Sequence, residues 1–125
     1  MKTTPKAVEA RPGLRVARVE ELQATRTAKF AYRDQDGIPR EGFAALVGEQ
    51  VVVYQNVCRH LPVSIDYGDN EFFSADGAMI VCRTHGAEYE PLGGLCVRGP
   101  CEGARLLAIP FEVRGGEIWI EGEAA

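Results

Sequence analysis

The chain has 125 residues, enough for one domain with its own hydrophobic core and no need of disulfide staples. Its hydrophobic content of 46% suits an ordinary globule, and a net charge of −4 argues against a nucleic-acid partner, which would want a basic face. No apolar run approaches a membrane span, and the start Met1-Lys2-Thr3-Thr4-Pro5-Lys6 has no apolar stretch behind it, so no membrane and a cytoplasmic location are expected.

Residues 1–12, with Pro5 and Pro12 and no sustained period, read as a flexible tail of a single domain over 1–125. Strands and turns follow. Leu14 to Val19 alternates apolar and basic side chains, as a half-buried strand does, and Glu20 to Gln23 reads as a brief turn. Ala28 to Tyr32 is a strand ended by the turn signal Asp34-Gln35-Asp36-Gly37. Phe43 to Val47 returns, Gly48 to Gln50 turns, and Val51 to Gln55 is a β-branched run fit for a central strand.

From Asn56 to Asp69 the chain has no clear period and reads as a loop, with Phe72-Phe73 as a short strand. Ala75 to Gly77 turns the chain into a strand from Ala78 to Val81. Ala87 to Glu90, a Gly93-Gly94 turn and Leu95-Cys96 lead into a loop at Gly99-Pro100. The end is a hairpin: Phe111 to Arg114, a Gly115-Gly116 turn, then Glu117 to Ile120. No helical period persists for three turns. The expected fold class is all-β, an antiparallel sandwich or open barrel.

Two cysteine–histidine pairs carry the chemistry: Cys58-Arg59-His60 and, after 21 intervening residues, Cys82-Arg83-Thr84-His85. They use both histidines of the chain. Two thiolates and two imidazoles make a complete four-ligand set for a soft or borderline metal. In an extended Cys58-Arg59-His60 the first and third side chains face the same way and Arg59 points out. In Cys82 to His85 a turn brings the ends together, and Gly86 lets the backbone pass close to the centre. As single residues Cys58 and Cys82 would pass for core cysteines, since each follows an apolar run. The set fits a tetrahedral zinc ion or a [2Fe–2S] cluster.

Each loop supplies one cysteine and one histidine, whereas zinc modules usually pair like with like. That mixed pairing, with Gly86, Tyr89 and the Gly99-Pro100 loop, resembles the Rieske family, and its small ferredoxins more than its membrane-anchored members. The resemblance covers about residues 51–119. It implies a sandwich with an inserted cluster-binding lobe of hairpin loops, about residues 56–102. It also implies one [2Fe–2S] cluster, held by Cys58 and Cys82 on an inner iron and by His60 and His85 on an outer one.

Membrane-anchored members tie the two loops with a disulfide where this chain has Val63 and Thr84. Cys96 and Cys101 do not fit those places; their spacing would allow a small disulfide ring, but a cytosolic location makes free thiols the expected state. The resemblance also supplies second-layer candidates. Tyr89 either donates a hydrogen bond to a cluster sulfur or packs with its hydroxyl at the surface. Ala87 stands where high-potential members carry a serine donor, so the potential is expected in the lower part of the Rieske range. Gly99-Pro100 either roofs the cluster or is an ordinary turn. Arg59, Arg83 and Arg98 either rim the site or belong to a solvated surface.

The function implied is a one-electron carrier between a reductase and an oxygenase or similar acceptor. It is not an enzyme, because no histidine remains for a mononuclear iron site. The rival readings are a structural zinc-binding interaction module and an iron–sulfur sensor or accessory subunit.

Overall fold

The computed structural model describes residues 13–59, 63–66, 68, 71–84 and 86–125. The expected tail over 1–12, the candidate ligands His60 and His85, and Asp69 at the end of the expected loop lie outside them.

The framework consists of β1 (Leu14–Arg18), α1 (Val19–Thr25), β2 (Thr27–Arg33), β3 (Pro39–Val47) and β4 (Gln50–Gln55). The short strands β5 (Ile80–Val81), β6 (Glu88–Tyr89) and β7 (Cys96–Arg98) follow. The chain ends with β8 (Phe111–Arg114), β9 (Glu117–Ile120) and β10 (Glu123–Ala124). They form three sheets, with strand orders β1-β9-β8, β10-β2-β3-β4 and β5-β6-β7. Every ladder among the described residues is antiparallel.

The four-stranded sheet explains the pattern of its own sequence. On β3 and β4 alternate side chains point to opposite faces. Ala44 and Val53 join a core with Ala17, Leu22, Tyr32, Ile118 and Ile120 from β1, α1, β2 and β9. Phe43, Ala45, Val52 and Tyr54 join a second core with Phe72, Ile80, Cys82, Tyr89 and Cys96 from the loops above. A strand covered on both faces can be apolar throughout, and Val51-Val52-Val53-Tyr54 is. The Phe43 and Phe72 rings stack with centroids 4.1 Å apart, tying the sheet to the lobe.

Two local expectations need correction. Residues 20–23 belong to a helix, not a brief turn, and Val19 opens that helix instead of closing the strand. Arg18 N–H donates to Glu21 Oε1 at 2.7 Å, and Glu20 and Glu21 place negative charge at the helix N-terminus. Leu22 alone is buried, at 1% exposure. Seven residues are too few to display a helical period. Phe72-Phe73 is not a strand either: Phe73 makes an isolated bridge to Ile80.

Candidate metal centre

Cys58 lies three residues past the end of β4, and Cys82 directly follows β5. Cys58 N–H donates to Val63 O at 2.8 Å, closing the first loop. Cys82 N–H donates to Ala87 O at 2.8 Å and Gly86 N–H to Cys82 O at 2.9 Å, closing the second. The two loops are joined by Arg83 N–H to Ile65 O at 2.8 Å. Val63, where membrane-anchored members were expected to differ, is half-buried against the lobe core. Both sulfurs are enclosed, with Cys58 3% and Cys82 0% exposed.

A buried polar cluster holds the first loop. Asn56 Nδ2 donates to Glu41 Oε1 at 2.8 Å and to Asp66 Oδ1 at 3.1 Å, while its Oδ1 accepts from Ile65 N–H at 2.8 Å. Asp66 is wholly buried and meets Lys29 Nζ at 2.8 Å. These residues escaped the sequence reading. The signal available was Lys29, a charge set opposite the buried Phe43. A charge there needs a partner across the interior, and the loop supplies it.

Tyr89 is fully buried, which removes the alternative of a surface hydroxyl. Its Oη lies 3.5 Å from Cys58 Sγ and 3.1 Å from Cys101 Sγ, and accepts the Arg59 N–H at 2.9 Å. Burial raises its pKa above the usual phenol range, and the contacts with Cys101 and Cys58 raise it further; the Arg59 amide opposes them. The hydroxyl therefore keeps its proton and can donate it to sulfur. Thr84 Oγ1, between Cys82 and His85 in sequence, is buried with no hydrogen-bond partner among the described residues.

The two glycines act differently from one another. Gly86 has φ +75°, a conformation that favours glycine, and a Cβ there would meet nothing within 4 Å among the described residues. Gly99 has φ +107°, and a Cβ would come within 2.8 Å of Ala87 Cα, so the Gly-Pro loop sits directly on the second ligand loop. Pro100 is exposed. Of the three arginines, Arg83 pairs with Glu71 at 3.7 Å and Arg98 with Glu88 at 3.8 Å, as solvated surface charges do. Arg59 is exposed.

The described part of the donor set fits a thiolate-bound cationic centre. Two enclosed sulfurs sit on loops tied to each other, and a phenol that stays protonated points at one of them. Burying thiolate charge is costly unless a cation compensates it.

The sequence model of the Rieske [2Fe–2S] domain matches residues 14–112. The ferredoxin CarAc of Metapseudomonas resinovorans is 30% identical over 77 residues, which span 62% of this chain and 66% of that protein, just under two thirds of its length. The ferredoxin of carbazole 1,9a-dioxygenase from Nocardioides aromaticivorans IC177 superposes with a TM-score of 0.66 at 26% identity, over 89% of this chain and 98% of its own. A chain of the complex of reduced oxygenase and oxidized ferredoxin in carbazole 1,9a-dioxygenase shares the fold, with a TM-score of 0.66 at 23% identity, over 90% of this chain and 95% of its own.

Proposed function

The chain belongs to the Rieske [2Fe–2S] domain family, and on that footing we propose that it is a one-electron carrier, taking electrons from a reductase and passing them to an oxygenase. Cys58, Cys82, His60 and His85 would hold its single [2Fe–2S] cluster. The cluster, when bound, supplies a one-electron couple whose potential is set by its ligands and by hydrogen bonds to its sulfurs. The observation that carries the reading is the Tyr89 hydroxyl, buried and 3.5 Å from the Cys58 sulfur. A zinc knuckle needs no such donor. A centre whose charge changes by one unit is tuned by it, because a donor favours the more negative, reduced state.

The chain's residues divide the remaining work. The packing that buries Cys58 and Cys82 keeps water from their sulfurs, and the Arg59 amide, by donating to the Tyr89 oxygen, leaves the phenol proton free for a sulfur acceptor. Leu92 and Val97, at 46% and 44% exposure, lie on the lobe with exposed Pro100. They offer apolar contact for a short-lived partner. The relatives that match include ferredoxins, and one solved neighbour is a ferredoxin–oxygenase complex, which supports an oxygenase as acceptor.

The test is elemental and spectroscopic. As-isolated protein should contain about two irons and about two acid-labile sulfides per chain. It should be red-brown, and reduction should yield the EPR signal of a mixed-ligand [2Fe–2S] centre. One zinc without sulfide would replace this reading with a structural zinc module.

A further inference from the structure

Cys96 and Cys101 flank the Gly-Pro loop, outside the four-ligand set. Their sulfurs lie 3.1 Å apart without being bonded. A disulfide needs about 2.0 Å between sulfurs, so a shift of about 1 Å closes the bond. The hairpin that carries them is already shut by Cys96 N–H to Ala104 O at 2.7 Å and Gly103 N–H to Cys96 O at 2.9 Å. Closing the bond therefore needs no rearrangement of the ladder. Cys101 Sγ is also 3.1 Å from Tyr89 Oη, the hydroxyl that faces Cys58.

We propose that Cys96 and Cys101 are a reversible thiol–disulfide site, oxidised by a low-molecular-weight disulfide, whose state governs how Tyr89 shares its proton with the Cys58 sulfur. The first half stands on the cysteine geometry alone, and the second rests on the carrier function proposed above.

The chemistry balances as two exchanges. Cys101, the partly exposed member, attacks one sulfur of the small disulfide as thiolate and forms a mixed disulfide, releasing one small thiol. Cys96 then attacks the Cys101 sulfur, forming the intramolecular bond and releasing the second small thiol. Two protein thiols are oxidised and one small disulfide becomes two thiols. The order follows from environment. Cys96 is 1% exposed, and burial, with a contact from Cys101, pushes its pKa up to about 11, so it is a poor first nucleophile.

In the dithiol state Cys96 S–H donates to Arg98 O at 3.3 Å and Cys101 S–H donates to Cys96 Sγ. The Cys101 sulfur then competes with Cys58 for the single Tyr89 proton. In the disulfide state the Cys101 sulfur is bonded to Cys96, and as a disulfide sulfur it is a weak acceptor for the Tyr89 hydroxyl. The proton is then committed to the charged Cys58 sulfur, the stronger acceptor. Oxidation of the pair raises the cluster's reduction potential.

Full-length protein purified without oxygen would be treated with glutathione disulfide, alkylated with iodoacetamide and digested with trypsin. The expected product joins peptides 84–98 and 99–105, disappears after dithiothreitol, and leaves the iron content unchanged. Alkylation of both thiols at every ratio of glutathione disulfide to glutathione would overturn the site. Voltammetry should then show a higher potential for the oxidised pair in the wild-type chain and no such shift in Tyr89→Phe or Cys101→Ser. A bonded pair with an unmoved wild-type potential would overturn the coupling to Tyr89. Peptide mapping reads the thiols whatever metal is bound, so a failed carrier reading would surface separately, as missing iron and sulfide.

Discussion

The two faces of the four-stranded sheet are built on different principles. Below it, α1 and the β1-β9-β8 sheet pack apolar side chains, with four residue pairs in each of the β1–β9 and β8–β9 ladders. Above it, β5 and β6 have two residues each and β7 three, too short to hold themselves. There the lobe is held by its own apolar core, by hydrogen bonds between loops and by the Asn56–Asp66–Lys29 cluster. Arg26 straddles both. Its Nε donates to Leu46 O on β3, its Nη1 to Gly77 O in the lobe, and its guanidinium stacks 3.5 Å over the Phe73 ring. The contrast teaches that both faces bury an apolar core, while the upper face adds directed polar contacts that fix the position of its loops.

The hardest blow to that contrast is Cys82→Ala. Its expected outcome is loss of essentially all bound iron and sulfide, with the far-ultraviolet β signal of the framework retained. Metal analysis and circular dichroism read the two halves separately. Loss of the β signal as well would mean that the lower face depends on the centre above it.

Next in size is Lys29→Ala, which leaves the wholly buried Asp66 carboxylate without its ammonium partner. A broken buried pair costs about 3 kcal/mol. Denaturant unfolding should show that loss, and iron should leave the variant faster than the wild type. A change under about 0.5 kcal/mol would place the pair among surface ion pairs.

A matched pair of glycine substitutions compares the faces directly. Gly115→Ala, in the β8–β9 turn at φ +57°, meets nothing within 4 Å and should cost about 1 kcal/mol of backbone strain. Gly99→Ala adds a clash 2.8 Å from Ala87 Cα and should cost about twice that. It should also shift the visible spectrum, since Ala87 closes the Cys82 loop. Equal costs with an unchanged spectrum would detach the Gly-Pro loop from the site.

The smallest effect is acid sensitivity. Asp34, in the β2–β3 turn, is held below the ordinary carboxylate range mainly by the Arg40 hydrogen bond, and Asp76, in the lobe, by that of Ser74. A carboxyl with a lowered folded pKa contributes stability above its unfolded pKa and loses it as pH falls through the folded value. Both turns are exposed, so each contribution is small. Asp34→Asn and Asp76→Asn should each slightly flatten the fall of Tm between about pH 5 and pH 2. A fall as steep as the wild type's in either variant would show that carboxyl to be idle.

The sequence determined what is local. Alternation in 14–18, the β-branched run 51–54 and the Gly-Gly hairpin at 115–116 announce strands, because period and turn chemistry act between near neighbours. The two cysteine–histidine pairs mark candidate metal ligands, because ligand type and spacing are written in short segments. The tertiary structure decided what depends on distant partners. Val19 to Thr25 is helical because Leu22 finds the lower core and Glu21 caps Arg18, in too few residues to show a period. Lys29 reaches Asp66 across 37 positions, and Tyr89 comes to Cys58 across 31. Neither meeting leaves a trace in local pattern. The same holds for Cys96 and Cys101: their spacing permits a bond, but only the fold brings the sulfurs to 3.1 Å and sets Tyr89 beside them. Hydrogen bonds and burial are properties of where a chain returns to itself, and the return is set by the packing of whole sheets.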